Sequence, residues 1–113
     1  LTSPPAGVSS TWVSGNEKEA DVKRRVKEIL KELGAWYFMP VPSGYGVMGI
    51  PDFIVCHKGK FIAIETKFGK NKPTKWQDIR LREINEHYGL SLVINERNVE
   101  SLLSVVADFV ERG

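Results

Sequence analysis

The sequence predicts a small α/β domain with the element order α-β-β-β-α-β-α. Three observations carry this. Two stretches place apolar residues at helical spacing, and a third near the end is apolar over much of a helical circumference. Between them lie short runs rich in β-branched and aromatic residues, bounded by Gly, Pro or polar clusters. Two of those runs are separated by the dipeptide Lys58-Gly59, the length of a tight hairpin loop with Gly at its second position. At 113 residues, 42% of them hydrophobic, the chain fits one domain whose core needs no disulfide or structural metal.

Residues 1–16 (LTSPPAGVSSTWVSGN) are rich in Pro, Ser, Gly and Thr and read as a tail or loop. They lack the basic segment and apolar run of a signal peptide. The domain is expected over 17–113. Val22, Val26, Ile29 and Leu33 form one stripe of a helix over 17–33, with Asn16 as N-cap and Gly34 as stop. Residues 35–39 (AWYFM) read as a strand, followed by a glycine-rich loop through Gly44, Gly46 and Gly49. That loop lacks the spacing and following helix of a phosphate-binding loop. Residues 52–57 and 60–67 read as the hairpin strands. A helix is expected from Thr74 to Tyr88, stopped by Gly89, then a strand over 91–94 and a well-buried helix from Val99 to Val110.

The net charge of +2 hides an uneven distribution. Between Lys58 and Arg82 eight Lys/Arg stand against two acids, a balance of +6 that leaves −4 for the remainder. Such a block invites a polyanion, although a solvated surface is the plainer explanation. No apolar run approaches the ~20 residues of a membrane span. The single Cys56 reads as a small core residue of a reducing compartment, so a cytoplasmic, non-secreted protein is expected. His57, beside the turn, reads as a surface residue. His57 and His87 have no Cys partner set, which argues against zinc.

A two-residue turn sets the register of the hairpin. With His57 opposite Lys60, Ile54 faces Ala63 and Asp52 faces Glu65. Opposed residues share a face of the sheet, with Cβ atoms ~5 Å apart, and like charges there are destabilising. Three remedies stay open: one carboxyl is protonated, Lys67 pairs with the site, or a divalent cation sits there.

Pro51-Asp52, twelve residues, then Glu65-Thr66-Lys67 resembles the PD-(D/E)xK nuclease motif. With Gly49-Ile50 before it and Gly69-Lys70 and Gln77 after it, the pattern resembles the VRR-NUC branch, the virus-type replication–repair nucleases. The resemblance spans residues 17–106 and points to the small stand-alone type of phages and bacteria. It implies a restriction-endonuclease-like core, a small mixed β-sheet flanked by helices. It implies a Mg²⁺- or Mn²⁺-dependent DNA endonuclease with no organic cofactor. Asp52, Glu65 and the Thr66 carbonyl would be metal ligands, and Lys67 would orient water or stabilise charge on the phosphate.

Relatives add a carboxylate from the first helix, where Glu17 and Glu19 both stand. Glu19 lies on the inward stripe with Val22 and Val26, so it is preferred, and a capping box with Asn16 is its structural alternative. Gln77 matches the family pattern and also completes a T-x-x-Q capping box with Thr74. Lys70, Lys72 and Lys75 would contact DNA phosphates, and Tyr45 would stack on a base or pack in the core. Trp76 and Ile79 lie off the stripe formed by Leu81 and Ile84 and are expected at a partner surface. The family reading favours a homodimer cutting branched DNA such as four-way (Holliday) junctions in DNA repair. Two alternatives remain: a flap, nicking or sequence-specific duplex nuclease, and a nucleic-acid-binding module that needs a partner protein.

Overall fold

A computed structural model of the chain describes residues 18–42, 44 and 46–112. The proposed tail over 1–16, the Asn16 cap, Glu17 and Tyr45 lie outside the described residues. The elements are α1 (Glu19–Leu33), β1 (Trp36–Phe38), β2 (Phe53–His57), β3 (Lys60–Thr66), α2 (Lys75–Glu86), β4 (Leu90–Ile94) and α3 (Leu102–Glu111), the last entered through a 3₁₀ turn over Val99–Ser101. The order is the expected one. One mixed sheet runs β1-β2-β3-β4, antiparallel except for the parallel β3–β4 pair that α2 connects.

The core lies between one face of the sheet and α1 with α3. Val22, Val26 and Ile29 pack with Phe53, Val55, Ile62 and Ile64, joined by Val99, Leu102 and Val106. Helix α1 begins at Glu19, with Lys18 as its extended N-cap. Its first turn is closed by Asp21, whose Oδ2 accepts the Lys18 backbone N–H at 2.8 Å. At its other end Gly34 adopts φ +72 and donates to the Leu30 and Lys31 carbonyls. Helix α3 is less enclosed than its composition implies: Leu102 and Val106 are buried, while most of its other apolar side chains are half-exposed.

The hairpin has the expected register, from His57 opposite Lys60 to Phe53 opposite Ile64. Lys58 and Gly59 both have positive φ, +52 and +80, as a right-twisted two-residue turn requires. Two face assignments are reversed by the packing. His57 is buried on the core face, whereas Cys56 is exposed on the opposite face. His57 shares the face of Phe53 and Val55, against α1 and α3, and the exposure of Cys56 follows from the position of α2. Helix α2 packs mainly on β4 and β3, and among the described residues no helix packs closely on the Cys56 face of β1 and β2. Trp36 pairs with Cys56 and Phe38 with Ile54, so these residues share the bare face with Phe61. Trp36 is 62% exposed.

Helix α2 also ends earlier than its stripe implies. His87 is its C-cap, and Tyr88 turns left-handed at φ +71 and is exposed. Gly89 serves a different need: a Cβ there would stand 2.8 Å from the Ile84 side chain and 3.2 Å from Phe61. No helix among the described residues is long and apolar enough to cross a membrane.

Candidate active site

At the end of the hairpin remote from the turn, β2, β3, α1 and the loop before β2 bring five charged groups together. The ladder stops at Phe53, and Asp52 leaves it. Instead of lying as a pleated partner of Glu65, Asp52 turns to Thr66. Its Oδ2 accepts the Thr66 N–H at 2.9 Å and the Thr66 hydroxyl at 2.6 Å. Those two donors compensate a carboxylate whose place in the ladder would oppose another acid. The Thr66 hydroxyl also lies 3.5 Å from Glu19 Oε2, so α1 delivers Glu19 to the same threonine.

Glu65 has a different environment. Its side chain is 2% exposed, and its Oε2 pairs with Lys67 Nζ at 3.2 Å. Its other oxygen, Oε1, is buried and has no hydrogen-bond partner. Burial pushes the Glu65 carboxyl up to about 7, and the nearby Asp52 charge adds to this, while Lys67 and, less strongly, the Asp52 backbone N–H act in the opposite direction. A buried carboxylate with an orphaned oxygen costs free energy unless it is protonated or meets a cation.

The loop before Asp52 is fixed by one glycine. Gly49 has φ +79, and a Cβ there would overlap the Trp76 carbonyl and lie 2.7 Å from the Gln77 nitrogen. The absence of a side chain lets the loop rest on the first turn of α2. Arg80 ties it down by donating from Nε to the Met48 carbonyl at 2.9 Å. The result is a cleft of about 310 Å³ lined by Gly49, Ile50, Pro51, Asp52 and Gln77, among others. Gln77 completes the capping box and borders the cleft. Its Oε1 accepts the Thr74 N–H at 2.8 Å, its own N–H donates to Thr74 Oγ1 at 3.2 Å, and its residue lines the cleft with Asp52. A larger apolar cavity of about 410 Å³, lined by Phe61, Ile84 and His87, lies toward the turn end of the hairpin and shares no residue with this cleft.

Lys70, Lys72 and Lys75 are exposed on the segment leading from the β3 end into α2. That segment is anchored by Glu96 and Arg97, in the turn after β4. Glu96 accepts the Gly69 N–H at 3.1 and 3.2 Å, and Arg97 Nη1 donates to the Gly69 carbonyl at 3.0 Å. Trp76 is 45% exposed with Arg80 stacked 5.4 Å from its ring centre, and Ile79 is half-buried. Lys23 was missed. Its Nζ lies 3.6 Å from Glu19 and 3.8 Å from Asp52, and its i,i+4 spacing from Glu19 was a visible signal.

The donor set suits a hard divalent cation, because Asp52, Glu65 and Glu19 offer only oxygen. The orphaned Glu65 Oε1 is an acceptor that such an ion would satisfy. Among the described residues no three His, Cys, Asp or Glu side chains form a ready metal cage. An ion here would therefore depend also on backbone carbonyl and water, as Mg²⁺ commonly does.

No protein-family model matches the sequence, and no curated protein matches it. Solved structures do. A structure described as a VRR_NUC domain superposes with a TM-score of 0.66 at 22% identity, covering 76% of this chain and 94% of the other. A second, described as a VRR_NUC domain protein, has a TM-score of 0.63 at 16% identity, covering 86% and 91%. At these identities the likeness is one of fold.

Proposed function

We propose that this chain, which has the fold of a VRR_NUC domain, is a divalent-metal-dependent DNA endonuclease. The observation that carries the proposal is Glu65: a buried carboxylate with one orphaned oxygen, beside Asp52 and paired with Lys67. Under this reading Asp52, Glu65 and the Thr66 carbonyl hold Mg²⁺ or Mn²⁺. When bound, such an ion supplies Lewis-acid polarisation of the phosphate and lowers the pKa of a water. Thr66 holds Asp52 in place through two hydrogen bonds, and Glu19 approaches the same hydroxyl. Lys67 sets its ammonium beside Glu65, where it orients water or meets charge developing on the phosphate. Gln77 lines the cleft and fixes the start of α2. Lys70, Lys72 and Lys75 contact the phosphate backbone.

The finer part of the proposal is branched DNA cut by a homodimer. Its support is the bare apolar face of β1 and β2 with Trp36, Phe38 and Phe61, together with the exposed Trp76. Monomers rarely expose apolar patches beyond about 300–600 Å². A two-fold pair would present two sites to the two strands of a junction. The test is a panel of labelled four-way junction, flap, nicked, duplex and single-stranded DNA with Mg²⁺, Mn²⁺ or EDTA, alongside light scattering of the free protein. The proposal expects metal-dependent cutting, fastest on the junction, and a dimer. Equal cutting of all substrates by a monomer would refute the finer part, and no cutting in either metal would refute the whole.

A further inference from the structure

The charged groups of the site divide into two sets, each with its own lysine. Glu65 has Lys67 at 3.2 Å. The Glu19–Asp52 pair has Lys23, at 3.6 Å from Glu19 Oε2 and 3.8 Å from Asp52 Oδ1. Asp52 uses its two oxygens differently. Oδ2 is engaged by the backbone N–H and hydroxyl of Thr66, while Oδ1 faces the ammonium. Both Lys23 contacts are longer than a good N–H···O hydrogen bond, whose range is about 2.7–3.2 Å. The ammonium is therefore held by charge rather than by tight directional bonds. Its side chain is 34% exposed, so its flexible stem has solvent to withdraw into.

Resting on the reading of Asp52 as a metal ligand, we infer that Lys23 is a displaceable internal counter-ion that competes with the divalent cation for Glu19 and Asp52. Without metal it neutralises two acids that would otherwise repel each other. A cation that binds Asp52 must first overcome the Lys23 charge a few ångströms away. Lys23 thereby sets a low metal affinity and keeps the acidic end of the sheet assembled in the metal-free chain. Lys67 pairs with Glu65 and is not within ion-pair distance of Glu19 or Asp52.

The experiment is a calorimetric titration of the full chain with Mn²⁺ alone, using wild type, K23M, K23Q, K23R, K27M and D52N, each checked for folding by circular dichroism. Lys27, one turn further along α1 and exposed, controls for the general loss of a positive charge. Removing one unit charge about 4 Å from the ligands should tighten Mn²⁺ binding about tenfold or more in K23M and K23Q. K23R and K27M should stay within about twofold of wild type by the same reasoning on charge and distance. The two neutral variants guard against one that does not fold. Unchanged or weaker binding in K23M and K23Q, with binding lost in D52N, would overturn the role of Lys23 and leave the metal site standing. Wild-type affinity in D52N, or no saturable binding by any of the proteins, would overturn the site reading itself.

Discussion

Replacing Glu65 by Gln should stabilise the metal-free protein at alkaline pH and flatten its pH dependence. Burial, aided by the Asp52 charge, raises the Glu65 carboxyl from 4.5 to about 7. The folded chain therefore keeps a proton over a pH range in which the unfolded chain has released it. The sign follows from linkage. The stabilisation is complete below about pH 4.5 and is lost as pH rises through about 7. At about 1.4 kcal/mol per pH unit, the loss between those limits is about 3 kcal/mol. The side chain is 2% exposed, so solvent screening reduces this little. Glutamine keeps the shape of the neutral acid and has no proton to lose. Urea denaturation in EDTA at pH 5, 6, 7 and 8 measures the effect, read as wild type minus E65Q at each pH. Asp21 and Glu100 have lowered pKa values, so their contributions are lost toward acid, on the other side of the window. A wild-type curve parallel to that of E65Q from pH 5 to pH 8 would refute the argument. Saturating Mg²⁺ should oppose the wild-type trend, because a metal ligand must be deprotonated.

Gly49→Ala should cost about 2 kcal/mol or more in urea denaturation, since the position has φ +79 and no room against the backbone of α2. It should also slow cleavage by moving Asp52. Lys70→Ala with Lys72→Ala should weaken DNA binding on every substrate and reduce the slope of log affinity against log salt by about 2, measured by fluorescence anisotropy. Glu19→Gln should reduce metal-dependent cleavage more than Glu17→Gln, because Glu19 lies within 3.5 Å of the Thr66 hydroxyl. The reverse order would show the wrong carboxylate was assigned.

The hairpin was legible because its turn is local: Lys58-Gly59 permits two positive φ values, and register then follows by counting. Glu19 was legible because helical phase with Val22 and Val26 turns it inward. What failed depended on packing between distant elements. Nothing in the β2 pattern says that α2 covers only β3 and β4, so Cys56 reads as core; His57 reads as surface beside the turn, although its strand parity with Phe53 and Val55 already sets it on the face that α1 and α3 cover. Register alone put Asp52 opposite Glu65, yet the ladder ends one residue earlier and Thr66 captures the carboxylate. Lys23 stood in view as an i,i+4 partner of Glu19. Its second partner, Asp52, comes within reach only when α1 lies across the sheet. Glu96 and Arg97 were not legible as anchors, because their bonds run to Gly69, 27 and 28 residues away.

Cleavage of a labelled four-way junction by wild type and Asp52→Asn, with Mg²⁺ and with EDTA, tests the central claim most directly. The account predicts cutting by wild type in Mg²⁺, none in EDTA, and none by a folded Asp52→Asn protein in either. Cutting by Asp52→Asn at the wild-type rate, or undiminished wild-type cutting in EDTA, would contradict it.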